Sequence, residues 1–199
     1  MQNLADLNDN ELIQATQNGD LDAFQALVFR YDRNVLSIAV RYAQNAEDAK
    51  DIYQDVFIRV YRNIGSFKQQ SEFATWLYRI TTNVCISHYR SRKKYTAMHH
   101  AYETHDMENS EIHHDRRNGE GTPHDALMNS EISARVANAV NLLSPQQKLV
   151  FTLRHYEGYK LSEIAKFMKC TEGTVKKQLF TAIRHLRGEL QDLYFEGIG

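Results

Sequence analysis

The sequence predicts an all-helical fold in two small units, and three observations carry that expectation. Only two prolines and nine glycines interrupt 199 residues, so long stretches run without a breaker. No run of strand length alternates apolar and polar residues, whereas apolar residues recur at three- and four-residue spacing through most of the chain. That periodicity stops between Tyr95 and Ser130. This stretch holds six of the nine histidines, both Gly119 and Gly121, Pro123, and Glu103, Asp106, Glu108, Glu111, Asp115, Glu120 and Asp125 against only Arg116 and Arg117. It is too polar to form a core and reads as a flexible, acidic linker over 95–128, joining domains at 1–94 and 129–199.

In the first domain, "DNELIQATQN" makes a short helix closed by Gly19. Asp20 caps the next, which carries Ala23, Leu27, Val28, Tyr31, Val35, Ile38 and Ala39 at helical spacing. Asn45 caps "AEDAKDIYQDVFIRVYRNI", whose acidic first turn suits the helix dipole and whose buried stripe is Ile52, Val56, Val60 and Ile64. After the break "GSFKQQS" comes "FATWLYRITTNVCISHYRSRKK", with Phe73, Trp76, Leu77, Ile80 and Val84 on one core-facing side. In the second domain, Ile132, Val136, Ala139, Val140 and Leu143 share a face. Ser144 and Pro145 start a further helix that Gly158 ends. The remainder is a short helix "LSEIAKFMK", the turn "CTEG", and a longer basic helix "TVKKQLFTAIRHLRGEL" with Val175, Leu179, Ala182, Ile183 and Leu186 buried.

Composition excludes several classes of protein. At 42% hydrophobic the chain can bury a real core, yet no apolar run approaches the roughly 18 residues that a membrane span needs. The opening "MQNLADLNDNELIQ" lacks the basic start and apolar stretch of a signal peptide, so the expectation is a cytoplasmic protein without membrane insertion. Cys85 and Cys170, far apart and each inside an apolar helical pattern, predict buried thiols rather than a disulfide framework. No Gly-rich phosphate loop, HExxH, nucleophile elbow or Cys-His pair is present, which leaves enzymatic readings unsupported. The formal net charge of −1 favours no partner, but the charge is segregated. Lys and Arg crowd into "HYRSRKK" and "GTVKKQLFTAIRHLRGE", and acids into "NAEDAKDIYQD" and the linker.

Two of these clusters suit nucleic acid. On the helix starting at Phe73, the residues Thr75, Arg79, Asn83 and Ser87 repeat along the side opposite the core, and the helix runs out into Arg90, Arg92, Lys93 and Lys94. A core-anchored helix with a hydrogen-bonding face and a basic end can lie along a phosphate backbone. Phe67, in the preceding loop, would add an aromatic surface, and Asn83 could bond a base edge, a combination suited to single-stranded DNA. The same residues also describe a solvated helix face with a core phenylalanine. In the second domain, the short helix, tight turn and basic helix form a helix-turn-helix whose second helix would enter the major groove. Thr174, Lys176, Lys177, Phe180, Thr181 and Arg184 fall outside its buried stripe, together with Arg187.

Five strings, "NGDLDAFQALVFRY", "AEDAKDIYQDVFIRVYRNIGSFK", "FATWLYRITTNVCISHYRSRKK", "LSPQQKLVFTLRHYEGYKLSEIAKFM" and "EGTVKKQLFTAIRHLR", occur in one order and spacing. In this arrangement the chain resembles the extracytoplasmic-function (ECF, RpoE-like) sigma factors, the compact two-domain branch of the bacterial sigma family. The resemblance spans about Asn10 to Lys94 and Asn129 to Leu190. It implies a first domain that binds core RNA polymerase and reads a −10 element, capturing a base flipped from the melted non-template strand where Phe67 and Asn83 lie. The helix after Asn45 resembles the polymerase-binding helix. Its Asp48, Asp51 and Asp55, flanked by Gln54 and Phe57, would face a basic helical hairpin such as the clamp of the polymerase large subunit. The second domain would read a −35 duplex and contact the polymerase flap, and the linker would thread toward the RNA exit path. An anti-sigma factor is the partner expected from resemblance, and no cofactor or catalytic residue is implied.

Two departures from the family bear on partners. Gln178, Thr181 and Ile183 stand where relatives commonly carry arginines, which should weaken independent duplex binding and raises the expectation of a DNA-targeting partner. The linker's His113 and His114 beside Asp115 could bind zinc or titrate near neutral pH. A promoter-specificity subunit is therefore the leading expectation. A free-standing helix-turn-helix regulator that works without polymerase is the alternative, and a histidine-dependent metal sensor the third.

Overall fold

The computed structural model describes residues 4–99 and 123–191. Helix α1 (Asp9–Gln17) starts on a reciprocal cap: the Asn8 side chain accepts from the Glu11 amide while the Glu11 carboxylate accepts from the Asn8 amide at 2.7 Å. Gly19, at φ +95°, turns the chain into Asp20, whose carboxylate caps α2 (Leu21–Tyr42) by accepting from the Ala23 amide. Asn45 caps α3 (Ala46–Asn63) by accepting from the Asp48 amide at 2.7 Å. A 3-10 turn at Ile64–Ser66 closes α3, and a short loop leads to α4 (Phe73–His99).

The second half begins with α5 (Pro123–Asn141). Ser144 and Gln147 then cap each other at the start of α6 (Pro145–Phe151), whose first residue is proline, as the sequence predicts. Helix α6 runs on through a single π turn, Thr152–Tyr156, until Gly158 at φ +75° breaks it. Helices α7 (Leu161–Phe167) and α8 (Glu172–Glu189) follow, and the Thr171 hydroxyl caps α8. Among the described residues there is no strand, and no helix is long and apolar enough to cross a membrane.

Helix therefore reaches into the stretch 95–128 from both ends, since α4 continues to His99 and α5 begins at Pro123. Pro123, which reads as a breaker, suits the first turn of a helix, where no backbone donor is needed. The rest of the linker, including His113, His114 and Asp115, lies outside the described residues.

The periodic positions form the core. Leu12 and Ile13 of α1, Leu27 and Ile38 of α2, the whole α3 stripe and Leu77 and Val84 of α4 are buried. In the second half, Ala139, Val140 and Leu143 of α5 pack with Ala182 and Leu186 of α8. Ile132, expected on that stripe, is 40% exposed, because it lies two helical turns ahead of this cluster. Cys85 is fully buried as expected; Cys170 is only half-buried, in the turn before α8, and both are free. The two halves do not stand apart. Leu149, Leu153, Ile164 and Phe167 belong to the same continuous core as the first four helices, with α6 and α7 packed on α4 and the π turn on α2.

Candidate nucleic-acid and partner interfaces

Helix α4 is held on two sides, which decides what it offers to a ligand. Leu77 and Val84 face its own bundle, while Tyr78 and Thr82 face α7. The free edge carries exposed Asn83, Ser87, Arg90 and Lys93; Thr75 and Arg79 are half-buried at its start. The Arg79 Nε is buried and has no hydrogen-bond partner. The side chain of Lys94 lies outside the described residues. Arg92 is committed elsewhere, since its guanidinium is bonded to the Asp48 carboxylate of α3.

Phe67 does not form the expected exposed aromatic surface. It is 8% exposed, and its ring lies 4.9 Å from Trp76 and 6.0 Å from Phe73, centroid to centroid. The loop has no period from which burial can be read, and burying a phenyl ring among aromatics outweighs leaving it in water. The loop is instead fixed from below. Gln17 Nε2 at the end of α1 donates to the Ile64 carbonyl at 2.8 Å and the Phe67 carbonyl at 3.0 Å. Gln69 beyond it sits at φ +53°, a conformation that non-glycine residues rarely adopt.

The expected acidic stripe on α3 is only partly presented. Asp51 and Gln54 are exposed. Asp55 is paired with Arg59 at 2.8 Å, one turn along. Phe57 is half-buried with its ring 5.0 Å from that of Tyr53. Asp48 is turned inward: besides Arg92, His88 Nε2 lies 3.8 Å from its Oδ1, because the second half of α4 passes the first turn of α3. Sequence periodicity missed a set of exposed apolar residues on α2 and α3. Phe29 and Leu36 on α2 and Ile58 and Tyr61 on α3 are 67%, 46%, 47% and 51% exposed. The signal was available, because these apolar residues fall off the buried stripes, at i and i+7 on α2 and at i and i+3 on α3. Such an acidic and apolar surface suits a protein partner.

In the second half, α7 and α8 are joined by a tight turn in which Lys169 takes φ +51°. Val175, Ala182 and Leu186 are buried, so Thr174, Lys176, Lys177, Phe180 and Arg184 face solvent, as the sequence predicts. Phe180 is 70% exposed, which for a phenylalanine on a basic helix points to a ligand rather than a core. Thr181 is half-buried and its hydroxyl donates to the Lys177 carbonyl at 2.9 Å, while Lys176 pairs with Glu172 at 3.0 Å. No group of three or more metal-ligating side chains occurs among the described residues.

Fold and surfaces together define a two-part helical DNA-binding protein with a helix-turn-helix in its second half and a partner-binding face in its first. Residues 27–95 match the Sigma-70 region 2 family model and residues 133–186 the Sigma-70, region 4 model. The chain is 34% identical over 188 residues to the RNA polymerase sigma-H factor of Pseudomonas aeruginosa, covering 94% of this chain and 96% of that protein. It is 33% identical over 187 residues to the ECF RNA polymerase sigma-E factor of Haemophilus influenzae, covering 94% and 97%. A solved structure of the sigma factor RpoE in complex with the anti-sigma factor NepR from Bartonella quintana shares the fold, with a TM-score of 0.64 at 21% identity, over 84% of this chain and 96% of that one. The chain belongs to the ECF, RpoE-like sigma factors. As such it binds core RNA polymerase and directs promoter-specific transcription initiation.

Proposed function

We propose that the unit at 1–94 binds the polymerase clamp through the Asp51, Gln54, Phe29 and Ile58 face and reads the −10 element with α4. Asn83 supplies an amide for a base edge of the melted non-template strand, and Arg90, Lys93 and Lys94 take phosphates. The loop after Ile64, held by Gln17 and backed by buried Phe67, receives a flipped base; unstacking costs a few kcal/mol that the pocket offsets. The unit at 129–199 reads the −35 duplex with Thr174, Lys176, Lys177, Phe180, Thr181 and Arg184 and contacts the flap, with the linker at 95–128 between them. Like the RpoE that was solved with NepR, this chain is controlled by an anti-sigma factor. It works in the cytoplasm and has no catalytic step of its own. Gln178, Thr181 and Ile183, in place of arginines, make a DNA-targeting partner useful.

The observation that carries this reading is the free edge of α4. A helix anchored on two sides leaves one narrow polar row, Asn83, Ser87, Arg90 and Lys93, open to solvent. Pull-down of core polymerase and transcription from a promoter library test it. Asp51→Lys should lose polymerase binding, and Asn83→Ala should keep it but lose −10 selectivity. A wild-type chain that binds core enzyme and still shows no −10 preference overturns the assignment.

A further inference from the structure

The contact between the two halves has the chemistry of a joint that opens. Its apolar part is ordinary: Tyr78 of α4 lies 5.3 Å from Tyr159 and 5.1 Å from Phe167, ring to ring. Its polar part is unlike a permanent core. Lys148 of α6 is 4% exposed, yet its ammonium donates only to uncharged oxygens, Asn141 Oδ1 at 2.7 Å and the Ala43 carbonyl at 3.4 Å. It also lies 5.5 Å from the centre of the Tyr42 ring. A buried ammonium without a counter-charge opposes the contact that buries it. The Tyr42 hydroxyl and the Thr152 hydroxyl, the latter in the π turn packed on α2, are buried with no partner. Against these costs stand the Tyr159–Asn34 and Thr82–Phe167 hydrogen bonds and a charged clasp. Glu157, with its side chain 9% exposed, accepts from Ser37 Oγ at 2.7 Å and lies 3.5 Å from Arg41 Nε. The Arg41 guanidinium also stacks on Tyr156, 4.4 Å from its ring centre.

The closed arrangement also cannot span a promoter. The Thr82 hydroxyl bonds the Phe167 carbonyl at 3.2 Å. Asn83 adjoins Thr82 and Thr174 follows Phe167 by seven residues, so the two reading positions lie within roughly 40 Å of each other. Elements named for positions near −10 and −35 are about 25 base pairs apart, roughly 85 Å along a duplex.

We infer that the two halves form a closed resting state, clasped by Glu157 on Ser37 and Arg41, and that Lys148 is buried there to keep the state reversible. The inference rests on the assignment of −10 and −35 reading to different halves. When the clasp releases, the ammonium and the hydroxyls regain water and the halves separate onto polymerase and DNA. The same chain then has its own brake, independent of any anti-sigma factor.

Small-angle X-ray scattering of the free full-length chain, paired with run-off transcription at increasing chain concentration, tests this. Wild type should scatter near the roughly 16 Å radius of gyration of a compact chain of this length, slightly enlarged by its tails and linker. Glu157→Ala should raise that radius and lower the chain concentration for half-maximal transcription about three- to ten-fold. Lys148→Met, which keeps the side chain's length and removes its charge, should keep the small radius and raise that concentration several-fold. Helical content by circular dichroism separates opening from unfolding, and Ser37→Ala, which removes one hydrogen bond from a helix surface, supplies a milder opener. Wild-type radius and wild-type transcription in both Glu157→Ala and Ser37→Ala overturn the inference, as does a Lys148→Met chain that transcribes like wild type. If wild type starts no transcription, the promoter reading fails instead, and the radii of the variants still decide whether the clasp exists.

Discussion

The guanidinium of Arg92, near the end of α4, is bonded to the carboxylate of Asp48 in the first turn of α3. Arg92, expected on DNA, and Asp48, expected by resemblance on polymerase, are thus each other's partner. The pair ties the end of α4, proposed to read DNA, to the first turn of α3, proposed to meet polymerase.

Arg92 and its neighbours should therefore separate in experiment. Arg90 and Lys93 are exposed, so replacing either with alanine should weaken DNA binding by the polymerase complex and flatten its salt dependence by about one unit of slope each. Arg92→Ala should leave the slope nearly unchanged and lower the melting temperature, with a cost on the order of 1 kcal/mol because the arginine is 40% exposed. Salt titrations beside thermal melts distinguish the two behaviours. A slope change for Arg92→Ala as large as for Arg90→Ala would falsify the structural role.

Phe67 should behave as a core residue. Truncation to alanine in the cluster with Phe73 and Trp76 should cost about 3–5 kcal/mol and lower the urea midpoint. Phe67→Leu, which keeps most of the volume, should restore most of the stability and most of the transcription. Were the ring a stacking platform for DNA, leucine would restore stability and leave −10 reading impaired.

How much of this was readable before the fold depends on where each partner lies in the chain. Ile52, Val56, Val60 and Ile64 all proved buried because a helix face is a local property, visible at fixed spacing. The caps at Asn8, Asp20, Asn45 and Ser144 are equally local. Those at Asp20, Asn45 and Ser144 are legible from the residues alone. The inward turn of Asp48 was not legible, because its partner is 44 residues away. Nor was the closure of the two halves. Tyr78 and Thr82 lie on the flank of α4 between its apolar stripe and its polar row, where spacing fits core, solvent or a second domain alike. Gln17 is a polar residue at a helix end whose two acceptors are backbone carbonyls 47 and 50 residues on, so no motif records it.

The buried lysine makes the closed state pH-dependent, with a definite sign. Burial holds the Lys148 ammonium down to about 8 from its ordinary 10.5, with the nearby Cys85 thiol opposing and Arg92 of α4 adding to the shift. Protons thus favour the open or unfolded chain. The penalty is full below about 8 and fades as pH rises toward 10.5, a change of at most about 3 kcal/mol. The other groups around it pull the opposite way, because burial raises Cys85 to about 12 and raises Tyr42 of α2 as well. The difference between wild type and Lys148→Met isolates the lysine. Wild type should gain on the variant between pH 8 and 10 in denaturant melts; a gap that stays constant over that window would remove the lysine's role.

The recognition helix should accept an arginine at Thr181 without loss. The Thr181 hydroxyl is satisfied by the Lys177 carbonyl on its own helix, so no contact to the rest of the fold depends on it. The position is half-buried beside exposed Phe180 and Arg184, and a long side chain can leave its stem on the helix and carry its guanidinium to solvent. Thr181→Arg should then keep the melting temperature and tighten binding of the full chain to a −35 duplex. If the new guanidinium meets a phosphate, the log–log salt slope should steepen by about one and affinity should rise for all sequences alike; if it meets a guanine edge, the gain should be confined to particular duplexes. A fluorescence anisotropy titration at three salt concentrations reads both. No gain at any salt would mean that α8 does not approach DNA by this face, and the −35 assignment of Lys177, Phe180 and Arg184 would fall with it.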